Sequence, residues 1–539
     1  MLGAGVFLAG LELMITAVAL PSILANLADW TQLRHASWIV NGYLLVFVIT
    51  MPLAGRAADV WGARRLFLFA LAAFTLGSLL AGRAQSLDEL IAARLVQAVG
   101  GGIIVPVATA ATSHLFDGFA RARALGVIGA LTFLGMAAGP FVGAAVLSSM
   151  HVETALIQHG ITGGQLVENL SPSWRWVFYI NVPIGIIAFV VAWAASAGWE
   201  TPRRQSGLDL PGAALFTVGL AALLAGLTFL DDQFVARILD PSYASTALLG
   251  VSIVFIALSV VSGFRRPDPF LDPRLFRSGV FSSAALVSLL TGYGFATAIV
   301  GGAVFVDRVL YGGPDQQRVA LGALAGATAL GALASGFAVR LLSLRVVTLV
   351  GLLLSAVSLW QMSGWSPATS LGNVALGLAG FGLGFGLTVT PRSTAAVEAV
   401  GRRYFGMAAA TVTVARMIGM AVGLSILVAY GSTTIERLSA QVYSAPDAFR
   451  EFVPPELRDR TLKDGLVVDA LERWAAGEAA RIMVGLFLVA GVLTLVAIPP
   501  ALALGSSRQA GVRDPGDEGG PAPLRGGQDG GAPEPTFAA

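Results

Sequence analysis

Long apolar stretches alternate with short polar connections along almost the whole chain. Fourteen runs of roughly 20 mostly apolar residues recur, and each is long enough to cross the hydrocarbon core of a bilayer as an α-helix. Their approximate bounds are 2–27, 37–55, 66–83, 89–115, 123–149, 176–197, 209–230, 243–264, 279–306, 318–340, 346–363, 371–391, 404–432 and 475–504. The pattern predicts an all-α membrane protein with fourteen spans.

The positively charged residues between the runs predict the orientation of the chain. Sixteen arginines lie in one set of alternate connections and six in the opposite set. Because short cytoplasmic loops are enriched in Lys and Arg, the richer set and both termini are expected in the cytoplasm. The sixteen are Arg56, Arg64, Arg65, Arg121, Arg123, Arg203, Arg204, Arg265, Arg266, Arg274, Arg277, Arg340, Arg345, Arg392, Arg402 and Arg403; the six are Arg34, Arg83, Arg175, Arg237, Arg308 and Arg318.

The runs divide the chain into two comparable halves. Residues 1–200 and 279–505 each contain six spans, and 201–278 contain two further spans between them. The connection Gly55–Arg65 has a weak echo at Gly336–Arg345, which is typical of a duplicated transporter, although chance similarity of Gly/Arg turns is an alternative. Within the second half, residues 433–474 form a charged external segment whose part 466–480 predicts an amphipathic helix. Residues 506–539 are rich in Gly, Pro and charge and predict a disordered cytoplasmic tail.

Composition excludes several functional classes. Of the 539 residues, 55% are hydrophobic and only 12% charged, whereas soluble domains carry about 25% charged residues. There is no cysteine, so disulfides and thiolate metal sites are excluded. The only lysine, Lys463, precedes Asp464 and forms no phosphate-binding Walker loop. A net charge of +2 gives no support for nucleic-acid binding. The four histidines lack metal-ligand spacing, and we expect neither an enzyme nor a cofactor.

The polar connection Gly55–Arg65 joins the second and third runs. It reads Gly-Arg-Ala-Ala-Asp-Val-Trp-Gly-Ala-Arg-Arg, and we predict a tight loop there. Further motifs follow in order along the first half. They comprise Leu11-Glu12 with Ala19-Leu20-Pro21; Arg94, Gln97 and Gly100; Gly135, Gly139, Pro140 and Gly143; and Trp174-Arg175-Trp176 with Phe178, Asn181, Pro183 and Gly185.

Together these motifs resemble the major facilitator superfamily, in its fourteen-span drug:proton antiporter group typified by the EmrB and QacA exporters. The resemblance implies two six-helix bundles plus two extra central helices, alternating access and no cofactor other than the proton gradient. It implies that Gly55, Asp59, Gly62, Arg64 and Arg65 form a cytoplasmic conformational latch. Val60 and Ala63 stand where arginines are usual, so Asp59 and Arg64 are expected to carry most of it.

The resemblance also places an antiporter motif in the fifth span. Gly135, Gly139, Pro140 and Gly143 belong to it; the glycines share one face at a spacing of four and allow close helix packing, and Pro140 is expected to kink the helix. Asp59 is expected to face the start of the thirteenth run, near Gly401–Gly406, where the positive end of the helix dipole favours an anion.

Three charged residues are predicted deep in the membrane. Glu12 lies roughly 15 Å and Arg416 roughly 18 Å from the start of their helices at 1.5 Å per residue, and Arg94 lies in the outer half of its span. Such charges are expensive in lipid and normally face a partner or a wet cavity. We predict that Glu12 titrates the transported proton, because burial favours the neutral acid and a nearby arginine favours the carboxylate. A structural charge is the alternative for Glu12, and a structural salt bridge for Arg94 and Arg416.

The predicted spans contain few uncharged side chains that could bind a polar cargo. The main ones, taken as cavity candidates, are Asn41, Gln97, Tyr293, Gln361 and Asn373. Such an apolar interior favours a proton-coupled exporter of hydrophobic or amphipathic compounds such as drugs. The segment after Val414-Ala415-Arg416-Met417 also resembles mycobacterial exporters of lipids and drugs, so a lipid or glycolipid exporter is an alternative. A symporter of a small polar solute and a non-transporting receptor or scaffold remain further alternatives.

Partners and location follow from the resemblance and the topology. We expect protons, amphipathic molecules or lipids and the surrounding membrane lipid as partners, and no nucleic acid. The chain is expected to be a monomer in the bacterial plasma membrane. Whether an accessory protein docks on the external segment 433–474 is left open by the sequence.

Overall fold

The described residues of the chain fold mainly into α-helices. The computed structural model describes residues 1–27, 33–149, 170–196, 209–228, 241–267, 269–400, 404–442, 448–459 and 464–505. The helices are α1 (Leu2–Leu27), α2 (Leu33–Trp61), α3 (Ala63–Arg83), α4 (Leu87–Leu115), α5 (Gly118–Ser149), α6 (Ser173–Tyr179), α7 (Asn181–Ala195), α8 (Leu210–Thr228), α9 (Pro241–Arg265), α10 (Gly279–Val304), α11 (Pro314–Ala338), α12 (Leu344–Met362), α13 (Leu371–Glu398), α14 (Phe405–Val442), α15 (Gly465–Val496) and α16 (Ile498–Leu502).

The predicted number of membrane spans fits these helices. Thirteen helical segments among the described residues are long and apolar enough to cross a membrane; α6 and α7 together form one of them. The 26 residues of α1 form a further apolar helix, which completes the expected fourteen. A multi-pass membrane protein therefore follows from length and hydropathy alone.

The packing pattern of the first six spans recurs in the last six. In the first half, α1 packs along α5, and α4 packs against both α2 and α3. In the second half, α10 packs along α14, and α13 packs against both α11 and α12. Each half is therefore a six-helix bundle built on the same plan, which is the arrangement expected of a duplicated transporter.

Two seams and one helical hairpin connect the bundles. The seams are formed by α5 with α11 and by α2 with α14. The two extra helices α8 and α9 pack against each other, and α8 also touches α2 and α14. The carboxylate of Asp209 holds the base of this hairpin: it binds Arg266 Nη1 at 2.5 Å and accepts the backbone N–H of Phe270 at 3.1 Å. The extra helices thus lie beside one seam.

The prediction of a loop over Gly55–Arg65 is wrong, because almost all of these residues are helical. Helix α2 continues through Trp61, and α3 begins at Ala63, so only Gly62 lies between the two helices. Gly62 has φ of +89°, a conformation that L side chains rarely adopt and that glycine tolerates. The prediction failed because the fall in hydropathy marks the end of the apolar run, whereas the helix ends only where the backbone turns.

Arg56 and Arg392, which the topology count placed in connections, lie inside helices and are buried. Arg56 belongs to α2 and is completely buried, and Arg392 belongs to α13 with an exposed fraction of 2%. A polar residue near the end of an apolar run therefore need not leave the protein interior. The amphipathic helix predicted at 466–480 is confirmed, since α15 begins at Gly465 and continues into the last span. The tail 506–539 lies outside the described residues.

Candidate functional site

The carboxylate of Glu12 is completely buried and lies at the centre of a polar network inside the first bundle. Arg94 Nη1 donates to Oε1 of Glu12 and forms a salt bridge with it. The hydroxyl of Thr16 donates to the same oxygen at 2.9 Å, and Asn181 Nδ2 donates to Oε2 at 2.6 Å. Both oxygens of this membrane-embedded acid are thus bound by donors from α1, α4 and α7.

Arg94 is held from several sides besides the carboxylate. Its Nη1 also donates to Gln97 Oε1 at 2.6 Å, and its Nε donates to the backbone carbonyl of Ile39 at 3.3 Å. The guanidinium carbon lies 3.9 Å from the ring centre of Tyr43, a cation–π distance. Gln97 in turn donates to Ser78 Oγ at 2.7 Å. Breaking the Glu12–Arg94 pair would therefore disturb contacts that reach α2 and α3.

The structure brings together only part of the predicted proton-coupling set. Glu12 and Arg94 are paired, and the cavity candidate Gln97 joins them. Thr16, Tyr43, Ser78 and Asn181 belong to the network but were not identified as site residues from the sequence. Asn181 carried a usable signal, because it is a lone amide within an apolar run and part of a recognised motif.

Arg416 lies apart from this network. It lines a cavity between the bundles, together with Arg392, and its guanidinium carbon lies 5.8 Å from the ring centre of Phe133. The cavity has a volume of about 50 Å³ and lies between α4, α5, α13 and α14. A second cavity of about 30 Å³ has an almost wholly apolar lining that includes Met14, Pro140 and Leu321. Drug-sized ligands occupy roughly 300 Å³ or more, so both cavities are small in this conformation.

Asp59 joins the two bundles across the α2–α14 seam. Its Oδ1 accepts the backbone N–H of Gly406 at 2.9 Å, and its Oδ2 accepts that of Met407 at 3.1 Å. The expected contact of Asp59 with the start of the thirteenth run, which forms α14, is confirmed. Both donors belong to the first turn of α14, whose N–H groups have no partner within the helix and whose dipole favours an anion.

The remaining latch residues differ in their placement. Arg64 Nε donates to Ser196 Oγ at 2.9 Å, a contact within the first bundle, and Arg65 is exposed. Gly55 lies where α2 meets α14, since a Cβ atom there would overlap Ala410 Cβ and the carbonyl oxygen of Gly406. Of the five predicted latch residues, Asp59 and Gly55 contact the second bundle within the described residues.

A second group of side chains reinforces the same face of the molecule. The guanidinium carbon of Arg121 lies 5.1 Å from the ring centre of Phe405, and its Nη1 lies 3.9 Å from Glu398 Oε1. The ring of His114 lies 4.9 Å from that of Phe405. Side chains of α4 and α5 therefore contact α13 and α14 close to Asp59.

The glycines of the antiporter motif form a close helix contact. A Cβ atom at Gly135 would overlap the carbonyl oxygen of Phe7, and one at Gly139 would lie 2.9 Å from that of Leu11. Gly143 meets Ile15 on the next turn of α1. The expected small-residue packing is confirmed against α1. The kink expected at Pro140 stays a prediction.

An equivalent contact in the second bundle was missed by the sequence analysis. A Cβ atom at Gly292 would overlap the carbonyl oxygen of Arg416, and one at Gly419 would overlap that of Leu289. Gly423 approaches the carbonyl oxygen of Tyr293 on the next turn. Helices α10 and α14 thus approach each other as α1 and α5 do.

The other cavity candidates line neither of these two cavities. Asn41, Gln361 and Asn373 are exposed, and Asn373 lies in the first turn of α13. Tyr293 is buried, and its hydroxyl has no hydrogen-bond partner within the described residues. Of the five candidates, Gln97 alone contacts the charged network.

Comparison with known proteins agrees with this architecture. The sequence profile described as Major Facilitator Superfamily matches residues 2–424. The chain belongs to the Major Facilitator Superfamily. Among solved structures of this superfamily fold, the human organic anion transporter MFSD10 superposes with a TM-score of 0.58 at 16% identity, covering 92% of this chain and 97% of that one. A bacterial homologue of the human lysosomal transporter Spinster gives a TM-score of 0.55 at 15% identity, covering 94% and 97%.

Curated relatives are more similar in sequence to this facilitator. A triacylglyceride transporter of Mycolicibacterium hassiacum is 30% identical over 511 residues, covering 92% of this chain and 90% of the relative. Multidrug resistance protein 3 of Bacillus subtilis is 26% identical over 430 residues, covering 78% and 77%. Family membership and these relatives indicate a transporter and not an enzyme.

Replacing Asp59 by Asn should weaken the seam of this facilitator. The substitution removes the charge at the helix start and turns an N–H₂ group toward one of the two backbone donors, at a cost of about 1–3 kcal/mol. We expect an initial transport rate about tenfold lower in proteoliposomes, since 1.4 kcal/mol corresponds to a factor of ten. Asp315→Asn is the control, because this carboxylate is exposed and forms its ion pair with Arg318 of the same helix. Equal rates for the two variants would contradict a latch role for Asp59.

Proposed function

We propose that the chain is a proton-coupled exporter of lipids or other amphipathic compounds that works by alternating access between its two bundles. The buried Glu12 network is the observation that carries this proposal. An acid at this depth is expensive unless it has partners or a functional role. Its partners are three polar side chains, of which Arg94 alone is charged.

The proposed proton cycle depends on the balance between the ionised and the neutral form of Glu12. The salt bridge to Arg94 favours the ionised form, whereas the surrounding apolar bundle favours the neutral acid. When the bundle opens to one side, water reaches the pair and the acid exchanges its proton there. When it opens to the other side, the same exchange occurs with the opposite solution, so that protons cross the membrane as the bundles cycle.

Alternating access is supported by the seams and by the small cavities. Asp59 ties the α2–α14 seam on one face, which the arginine count predicts to be cytoplasmic. Cavities of about 50 and 30 Å³ are too small for a whole lipid or drug molecule, so the complete cargo needs a conformation in which the bundles have separated. Breaking the contact of Asp59 with α14 would open a route from that face to the cavity between the bundles.

The choice between lipid and drug cargo rests on the relatives and on the cavity chemistry. The triacylglyceride transporter matches nine-tenths of this chain, whereas the multidrug resistance protein matches about 78% of it. Lipid export is therefore the first candidate and drug export the second. The cavity candidates predicted for a polar cargo are mostly exposed, which disfavours the symporter of a small polar solute.

Location and partners complete the proposal. We place the chain in a bacterial plasma membrane with both termini in the cytoplasm, as the arginine asymmetry predicts. Protons and amphipathic molecules are its partners, and it acts as a monomer. Docking of an accessory protein on the external segment remains a prediction. The same holds for the division into residues 1–200, 201–278 and 279–505.

A proteoliposome assay tests the function directly. The purified chain is reconstituted in vesicles with an imposed pH gradient, and movement of a fluorescent triacylglycerol and of a cationic dye is measured in parallel. We expect gradient-dependent movement of the lipid, abolished by a protonophore, with empty vesicles as the control. Absence of gradient-dependent movement for every cargo would overturn the proposal. Movement of the dye alone would favour the drug exporter.

A further inference from the structure

The cavity between the bundles contains two arginines and no acid. Arg392 and Arg416 both line it, and its other polar side chains are the hydroxyls of Thr109, Thr132, Ser393 and Thr413. The threonine hydroxyls donate to carbonyl groups of their own helices. Two positive charges thus share one small volume, without a negative charge in its lining.

Neither arginine has a carboxylate partner within the described part of the chain. Arg392 has an exposed fraction of 2%, and its Nη1 donates to the hydroxyl of Thr291. Arg416 has a buried Nε atom without a hydrogen-bond partner. By contrast, Arg94, which is as buried as Arg392, is neutralised by Glu12. A buried cation without a counterion is costly, and an anion in the cavity would remove that cost.

Aromatic rings hold the two guanidinium groups at the edge of an apolar region. The guanidinium carbon of Arg392 lies 5.1 Å from the ring centre of Phe385, and that of Arg416 lies 5.8 Å from Phe133. The two rings are 5.7 Å apart in an edge-to-face arrangement, and both contact Phe295. We name Phe133, Phe295 and Phe385 the phenylalanine cluster.

The phenylalanine cluster lies between the charged cavity and the apolar one. Phe133 lines the first cavity and Phe295 lines the second, and their ring centres are 5.4 Å apart. Along α5, the first cavity ends at Phe133 and the second begins at Met136, one turn further. A charged compartment thus adjoins an apolar compartment, with the phenylalanine cluster between them.

We propose that Arg392 and Arg416 bind the oxyanion head group of an amphipathic cargo, whose apolar chain passes the phenylalanine cluster. The volume of about 50 Å³ accommodates three or four waters, which is enough for a carboxylate or phosphate group but not for an acyl chain. Guanidinium groups bind such oxyanions through charge-assisted hydrogen bonds. This inference rests on the proposed transport function and adds anionic amphiphiles to the lipids that the chain would carry, against cationic dyes.

Binding to the purified full-length chain in a neutral detergent tests the assignment without transport. The probes are oleate and lysophosphatidate, with monoolein as the uncharged amphiphile and acetate and inorganic phosphate as free oxyanions. We expect oleate and lysophosphatidate to bind at least about tenfold more tightly than monoolein, since hydrogen bonds to charged groups contribute enough for that ratio. Equal affinity for oleate and monoolein would overturn the assignment. Phosphate binding as tight as that of lysophosphatidate would also overturn it, since the site would then be one for a free anion.

Variants localise the effect to the arginines. Arg392→Gln and Arg416→Gln should each weaken oleate binding at least about tenfold, and Arg416→Lys should weaken it less because the charge is kept. Arg481→Gln is the control, since Arg481 is exposed outside the cavity. Unchanged oleate affinity in folded Gln variants would overturn the proposal. Should a variant not fold, the ratio between oleate and monoolein in the unmodified chain still decides.

The outcome is separable from that of the transport proposal. Gradient-driven movement of triacylglycerol together with equal affinity for oleate and monoolein would refute the head-group site alone. Arginine-dependent oleate binding without gradient-driven movement of any cargo would refute proton-coupled export and leave the binding site in place.

Discussion

Replacing Glu12 by Gln is expected to reduce transport driven by a pH gradient to the level of empty vesicles. Glutamine has the same shape and still accepts hydrogen bonds from Arg94 and Thr16, but it cannot exchange a proton. The measurement is gradient-driven cargo movement in proteoliposomes that contain equal amounts of folded protein. Asp315→Asn is the control, because this carboxylate lies on the surface in a pair with Arg318. Full gradient-driven movement by Glu12→Gln would refute the proton-coupling role.

A double variant separates proton coupling from stability. Glu12→Gln leaves Arg94 charged without a counterion, at a cost of about 3 kcal/mol, so its thermal stability should fall. Arg94→Gln in the Glu12→Gln background removes that unpaired charge, and the stability should recover. Transport should remain absent in the double variant. Joint recovery of stability and gradient-driven transport would show that Glu12 serves the fold only.

Leucine in place of Gly55 should hold the Asp59 face open and stop turnover. The new side chain would overlap Ala410 and the carbonyl oxygen of Gly406, so the α2–α14 seam could no longer close. Overpacking of this kind costs about 1–3 kcal/mol, which shifts the closing equilibrium by roughly five- to 150-fold. Gly250→Leu on α9 is the matched control, since a Cβ atom at Gly250 meets nothing within 4 Å.

Cysteine labelling measures this opening. The natural chain has no cysteine. Ser393 lines the cavity between the bundles, so Ser393→Cys provides a single thiol there. In the Gly55→Leu background we expect a maleimide to label it about tenfold faster, in line with the shifted equilibrium. The Gly250→Leu background should label at the original rate. Unchanged labelling together with normal transport in Gly55→Leu would exclude the seam as a gate.

Sequence reasoning was strongest where a single helix carries the information. Runs of apolar residues predict the spans, and the depth of Glu12 and Arg94 along their helices predicts two buried charges. The contact of Asp59 with the start of α14 could also be predicted, because a helix N-terminus favours an anion. The spans and the depths need only local periodicity and helix rise. The helix dipole explains why Asp59 faces a helix start, whereas the choice of α14 came with the family resemblance.

The failures concern how helices face each other. Asn181 reaches Glu12 only because α1 and α7 converge, and spacing along one helix does not contain that information. Thr16, by contrast, lies one turn from Glu12 on α1, so its contact was open to prediction and was missed. Arg392 was placed in a connection because it follows an apolar run, yet α13 continues beyond it. Arg416 was grouped with Glu12 by depth, whereas the rotation of α14 directs it toward Phe133.

The glycine contacts determine which parts of the transporter can move. Where a backbone carbonyl of α1 lies against Gly135, and one of α10 against Gly419, no side chain remains between the helices whose rotation could absorb a displacement. Each of these pairs must therefore travel as one rigid strut. The rearrangement between the two access states then falls on the α2–α14 and α5–α11 seams. The two bundles therefore move relative to each other as rigid bodies.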